Sequence, residues 1–204
     1  MKTKIAVLAL SALFLLGSCK KDEDLTNVTP VATQAKSSSS LGKSGPVSRA
    51  FTESFNATSG LVFTNTGAFN PGSGSGNATH MGNASLFFNQ LLVMVNGNPA
   101  GSVAAPVNQF YSSQLATVGI TGVPNAVSSI TYDDQGNSVW FNSPSGTSLS
   151  PVSATRVNFS SDLIIIGGTG KFQNATGSAT LNGYFNPQSI IQTAQIESSG
   201  TISY

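Results

Sequence analysis

Nine residues constrain the fold of this chain more than any others: Ile164-Ile165-Ile166-Gly167-Gly168-Thr169-Gly170-Lys171-Phe172. Three consecutive β-branched side chains are stiff at χ1 and favour extended backbone. The glycines that end the run permit a sharp reversal. A second alternating run follows from Ala175 to Phe185, so the segment predicts two antiparallel strands joined by a tight, glycine-dependent turn. Glycine turns also bind anions through backbone N–H groups. A nucleotide-binding loop, however, leads into a helix, and here a strand follows. Gly167, Gly168, Gly170, Phe172 and Gly177 are therefore expected to serve the turn.

The rest of the chain supplies more strands. From Arg49 to Thr58, Phe51, Glu53, Phe55 and Ala57 alternate with Thr52, Ser54, Asn56 and Thr58, a period of two. Leu61-Val62-Phe63 continues this strand. Residues 70–76 (Asn-Pro-Gly-Ser-Gly-Ser-Gly) have the composition of a loop, and residues 78–81 read as a short extended piece. The most apolar stretch, Ala84 to Val95, favours a strand by its aromatic and β-branched content and by the Asn96-Gly97-Asn98-Pro99 stop. Residues 100–124 fit either short strands or an inserted loop with a helical turn. Residues 127–132 and 138–142 flank a hairpin turn at Asp133-Asp134-Gln135-Gly136-Asn137. Residues 143–150 read as a loop, and residues 155–166, 175–185 and 190–204 as three successive strands. No stretch joins helix caps to a 3.6-residue period. The expectation is an all-β, antiparallel domain of about eight strands, at the spacing of sandwiches and barrels.

Charge narrows function. Charged residues are 8% of the chain and the net charge is +1, against roughly 25% charged residues in ordinary soluble domains. From Val47 onward Arg49, Arg156 and Lys171 face five carboxylates, Glu53, Asp133, Asp134, Asp162 and Glu197. That leaves no basic patch for phosphates, which argues against nucleic-acid binding. One histidine, no cysteine and five carboxylates also give little material for acid–base chemistry, which lowers the expectation of catalysis.

The N-terminus carries an address. Met1-Lys2-Thr3-Lys4 precedes an apolar run from Ile5 to Leu16. The run is too short for a permanent span, which takes about 20 residues, and reads as a secretory signal peptide over residues 1–18. Leu16-Gly17-Ser18-Cys19 resembles the lipobox of bacterial lipoproteins, which implies cleavage before Cys19 and acylation of its thiol and new amino terminus. Several acyl chains make a durable membrane anchor, since each buried CH₂ contributes about 0.8 kcal/mol. With Cys19 so used, the exported domain has no disulfide. Lys20-Lys21-Asp22-Glu23-Asp24 reads as a solvated charge cluster. Its Lys-Asp-Glu-Asp order also resembles the signal that sends Bacteroidetes-type lipoproteins to the outer face of the outer membrane. Residues 25–46 are too poor in apolar side chains to fold. The expected organisation is a signal peptide (1–18), a lipidated N-terminus and tether (19–46) and a β domain (47–204), in an outer-membrane lipoprotein of the cell envelope.

Several segments together resemble a known group: Gly76-Asn77-Ala78-Thr79-His80-Met81-Gly82, Asp134-Gln135-Gly136-Asn137, Gly167 to Phe172 with Asn174-Ala175-Thr176-Gly177, and Ser199 to Tyr204. Their order over residues 50–204 is similar to small secreted bacterial barrels related to the allene oxide cyclase and dirigent group. The resemblance implies one antiparallel barrel of eight strands and often self-association. It implies neither cyclase nor dirigent activity, because the polar set that plant members carry inside the barrel cannot be aligned here.

The candidate sites follow. His80, in a Gly-flanked polar segment, is either a ligand contact at a barrel rim or a structural bond to a neighbouring strand. A metal site lacks a second His or Cys, and no cofactor is expected. Asp133 and Asp134 suit a turn better than a glycosidase pair, since neighbours in a strand point to opposite faces. Trp140 and Tyr184, with Tyr132 and Phe141, offer an aromatic platform for a flat ligand, or simply core. Three functions remain open: a binding or structural module, a cyclase or isomerase acting on a hydrophobic small molecule in the barrel, and a glycan-contacting accessory protein. An eight-stranded barrel interior is either filled or holds one small ligand.

Overall fold

The alternation that starts at Phe51 decides which side of the sheet faces inward. A computed structural model describes residues 45–189 and 191–204. The signal peptide, Cys19 and the tether as far as residue 44 lie outside the described residues. Phe51, Glu53, Phe55, Ala57 and Ser59 are buried, and the residues between them are exposed, as a two-sided strand requires.

The elements, in chain order, are β1 (Ser48–Ser59), β2 (Val62–Thr64), β3 (Gly67–Phe69), β4 (Gly72–Ala78), β5 (Gly82–Phe88), β6 (Gln90–Val95), β7 (Asn98–Ala104), α1 (Asn108–Thr117), β8 (Ser129–Tyr132), β9 (Ser138–Asn142), β10 (Thr147–Ser153), β11 (Arg156–Thr169), β12 (Thr176–Phe185) and β13 (Gln192–Ser203). Eight of these strands close a barrel in the order β1-β4-β5-β8-β9-β11-β12-β13, with every neighbour antiparallel. The remaining five form a lobe, β10-β7-β6-β3-β2, that grows from the N-terminal half of β11. β11 pairs with β10 over Arg156–Ser161 and with β9 from Ile164 onward. One fourteen-residue strand thus serves both the barrel and the lobe.

The two ends of the barrel differ in their connections. At one end β4 turns into β5, β8 into β9, and β11 into β12 through a 3-10 turn (Gly170–Phe172), and β13 ends at Ser203, paired with Ser48 at the start of β1. All the insertions lie at the other end: β2 and β3 between β1 and β4; β6, β7 and α1 between β5 and β8; and β10 between β9 and β11.

Several expectations need correction. Residues 70–76 are not a loop: Gly72–Ala78 is a central strand paired to β1 and β5. Its glycines face inward, where a Cβ on Gly74 or Gly76 would run into the β1 backbone. Composition misread a requirement for space as a requirement for a turn. Of residues 78–81, read as an extended piece, only Ala78 is strand, and the other three form the β4–β5 turn. The segment 84–95 is two strands broken at Asn89. Asn89 is fully buried; its Nδ2 donates to the Pro106 carbonyl (3.0 Å) and its N–H to the Ser128 carbonyl (2.9 Å). The chain passes there from barrel to lobe. Half of residues 143–150, from Thr147 onward, belong to β10.

The segment 100–124 contains a true helix, α1, with no side-chain N-cap and a single buried residue, Leu115. Neither signal that marks a helix in sequence is present. The helix is held from outside itself. Val107, Leu115, Ile120, Val127 and Ile130 form a small core on the outer face of β5, β8 and β9, where Phe87 stacks on Tyr111 (4.4 Å) and Tyr132 (5.4 Å).

Candidate functional site: the barrel interior

Large side chains plug the barrel at the tight-turn end. Phe51, Val139, Ile165, Phe172 and Ile202 are essentially inaccessible and pack in one cluster with Phe141 and Leu163. Phe172 reaches this plug because the 3-10 turn after Gly170 (φ +59°) aims it inward, and its ring meets Tyr204 edge-on at 4.7 Å.

Toward the other end the inward positions shrink. Ala57 and Ser59 on β1, Gly72, Gly74 and Gly76 on β4, Ser129 on β8, Ser161 on β11 and Ala194 on β13 replace the bulky residues. Where rings do enter, they lie over glycines: a Cβ on Gly72 would strike Phe88, and one on Gly183 would strike Phe159. The space left is a cavity of about 380 Å³. Its walls are apolar, with Phe55, Leu86, Phe141, Leu163, Leu181 and Ile196 among them, and it opens toward Leu61, Leu92, Pro99 and Pro151 of the lobe and its loops and Pro187 of the β12–β13 connection.

Glu53 sits at the floor of the cavity. It lies one inward position above Phe51 on β1, opposite Ser198 on β13. It is 8% exposed and is the only ionisable side chain lining the cavity among the described residues. Ser198 Oγ donates to Glu53 Oε2 at 2.8 Å. Glu53 Oε1 and Thr131 Oγ1 are both buried without a hydrogen-bond partner, a costly arrangement for polar atoms. Burial pushes the Glu53 carboxyl up from 4.5 to about 7, which the bond from Ser198 and the nearby Thr131 hydroxyl offset only in part. Near neutrality the group is present in both forms, so it can donate an O–H or accept one.

The residues singled out from sequence lie elsewhere and are not brought together. His80 is in the β4–β5 turn at the plugged end, in the left-handed region (φ +69°), with Nε2 3.0 Å from the Ala50 carbonyl. Its own carbonyl accepts from Lys171 Nζ (2.6 Å), and its ring meets Tyr204 edge-on. Trp140 faces outward beneath the α1 core and donates from Nε1 to Ser138 Oγ (2.8 Å). Tyr184 lies on the outer wall with the Arg156 guanidinium 3.9 Å above its ring. Phe141 alone of the four aromatic candidates lines the cavity. Asp133 organises its turn: Oδ1 accepts from the N–H of Gln135 (3.0 Å) and Asn137 (2.9 Å), and Oδ2 from Asn137 Nδ2 (2.8 Å).

Sequence reasoning missed Glu53. The available signal was its phase, a carboxylate on the same face as Phe51, Phe55 and Ala57 of one alternating strand.

Fold and site together define a class: a small closed antiparallel β-barrel, plugged at one end, with a buried carboxyl at the floor of an apolar cavity open at the other. Comparison with protein-family models, with curated proteins and with solved structures finds no match.

Proposed function

We propose that the protein is a cell-envelope lipoprotein, anchored through Cys19, whose barrel binds a small, mainly apolar molecule with its polar group against Glu53. The observation that carries this reading is the half-partnered, buried Glu53 carboxyl at the end of a 380 Å³ apolar cavity. Apolar pockets with one or two convergent polar groups are the usual form of small-ligand sites. A ligand hydroxyl, carbonyl or amine placed against the Glu53 carboxyl gives its unpartnered oxygen a hydrogen bond and regains the cost of leaving it unpaired.

Residues 43–204 form a compact unit of their own, so this domain can be tested alone. Native mass spectrometry of the domain, after export in its own host, is expected to show an added mass that is lost on denaturation and absent from Ala194→Phe, which fills the cavity. A clean apo mass, together with no fluorescence gain from an apolar dye, overturns the proposal.

A second reading rests on the near-neutral carboxyl. Glu53 can move a proton along an apolar substrate held above it, the chemistry of a cyclase or isomerase. Isomerisation leaves mass unchanged, so the check is chromatographic. Molecules extracted from wild type and from Glu53→Gln should have equal mass and different retention; identical retention removes this reading.

A further inference from the structure

The rim around the cavity mouth is apolar and almost uncharged. Between Glu53 and Asp133 the chain contains no Asp, Glu, Lys or Arg, and this stretch builds β2, β3, β6 and β7. β10 and the β12–β13 connection add none. Among the described residues Arg156 is the one ion of this end, and it is turned onto Tyr184 and Asn158. At the plugged end, by contrast, Arg49, Asp133, Asp134 and Lys171 gather around the tight turns. Among the described residues, eight of the eleven large apolar side chains left exposed belong to the open end. They come from separate elements, with Phe63 (75% exposed) on β2, Val95 (53%) on β6, Val152 (59%) on β10 and Ile191 (67%) before β13.

We infer that this rim docks on a lipid bilayer, placing the cavity mouth at the membrane interface. A protein partner requires a continuous complementary surface. Hairpin tips spaced around an open mouth give separate points of contact, which a fluid interface accepts without prior fit. Entry is shallow: the tips carry apolar side chains into the headgroup boundary while their turn peptides stay hydrated. Arg156, at the β10–β11 tip, is the one ion there and is held on Tyr184 and Asn158, so little charge must be desolvated on insertion. With no basic cluster, the attraction is indifferent to lipid charge and to salt. β1 leaves the tether at the plugged end. The 29 residues from Cys19 to Val47 reach at most about 100 Å, whereas the twelve residues of β1 span about 40 Å. A chain anchored at Cys19 can therefore still turn its mouth to the bilayer. The inference stands on the rim and does not need a ligand in the cavity.

The experiment is flotation of residues 43–204 with uncharged phosphatidylcholine vesicles at low and high salt. The domain is expected to float with the vesicles equally at both. Phe63→Ser/Val95→Ser/Val152→Ser should lower partition by about tenfold or more with an unchanged circular dichroism spectrum. Glu53→Gln should float like wild type, which separates rim from cavity. Failure to float, binding that salt abolishes, or sedimentation as a dimer that the triple substitution dissolves would each overturn the inference, the last by making the rim a contact between copies.

Discussion

The two ends of the barrel use the same eight strands in opposite ways. At the plugged end the inward positions are Phe51, Val139, Ile165, Phe172 and Ile202, the connections are tight turns, and the ions sit outside. At the open end many inward positions are glycine, serine and alanine, every insertion of the chain is placed there, and ions are all but absent. One end resembles an ordinary close-packed core. The other spends its residues on keeping space. The difference teaches that a strand can be stabilised along one half of its length while the other half carries a function, because sheet hydrogen bonds run the full length whatever the side chains do.

The comparison can be broken by equal substitutions at unequal places. Phe172→Ala should cost about 3–5 kcal/mol, since it opens a void in a filled plug, read as a shift in urea midpoint at unchanged m. A cost below that of Phe159→Ala would undo the distinction between the ends.

Glu53 marks the boundary, and its effect depends on pH. The folded value, about 7, lies above the ordinary 4.5. Between those values the folded protein therefore holds more protons than the unfolded chain. Stability is full below the ordinary value, falls as pH rises across the window, and above about 7 is lower by about 3 kcal/mol. Glu53→Gln should flatten this dependence and make the protein more stable than wild type at alkaline pH. Equal slopes in urea titrations across the window would show the carboxyl to be solvated.

Asp133→Ala removes three hydrogen bonds from the β8–β9 turn at the plugged end and should cost about 2 kcal/mol, seen as a lowered thermal midpoint with the cavity's dye binding intact. Smallest in the series, Phe159→Ala should cost about 1–2 kcal/mol, because its half-buried ring already borders empty space and leaves Gly183 with room rather than a new void. Dye binding should rise with the enlarged cavity.

Much of the architecture was legible in local pattern. The period-two run from Phe51, the Asp133–Asn137 turn and the pairing of β11 with β12 across the glycine turn each follow from neighbouring residues alone. β4 was not legible, because Gly-Ser-Gly-Ser-Gly has the composition of a loop and becomes a strand only between β1 and β5. Nor was α1, whose helical state comes from Val107, Ile120 and Val127 packing on the barrel's outer wall rather than from its own caps. The site was the least legible. His80, Trp140 and Tyr184 stood out by rarity and chemistry, yet His80 lies in a turn and the two aromatics on outer walls.

Sequence by itself determined that this chain makes an all-β domain with little charge, and that Glu53 shares a face with Phe51 and Phe55. Period-two alternation and glycine turns are properties of adjacent residues, so they need no partner strand to be recognised. Only the tertiary structure decided that the sheet closes, that one end fills while the other stays hollow, and that Glu53 lies at the floor with Oε1 unpaired. Those depend on which strands become neighbours and on the register between them, such as Glu53 against Ser198, 145 positions apart in the chain. Closure converts a row of small residues into an enclosed volume, and burial in that volume shifts the carboxyl.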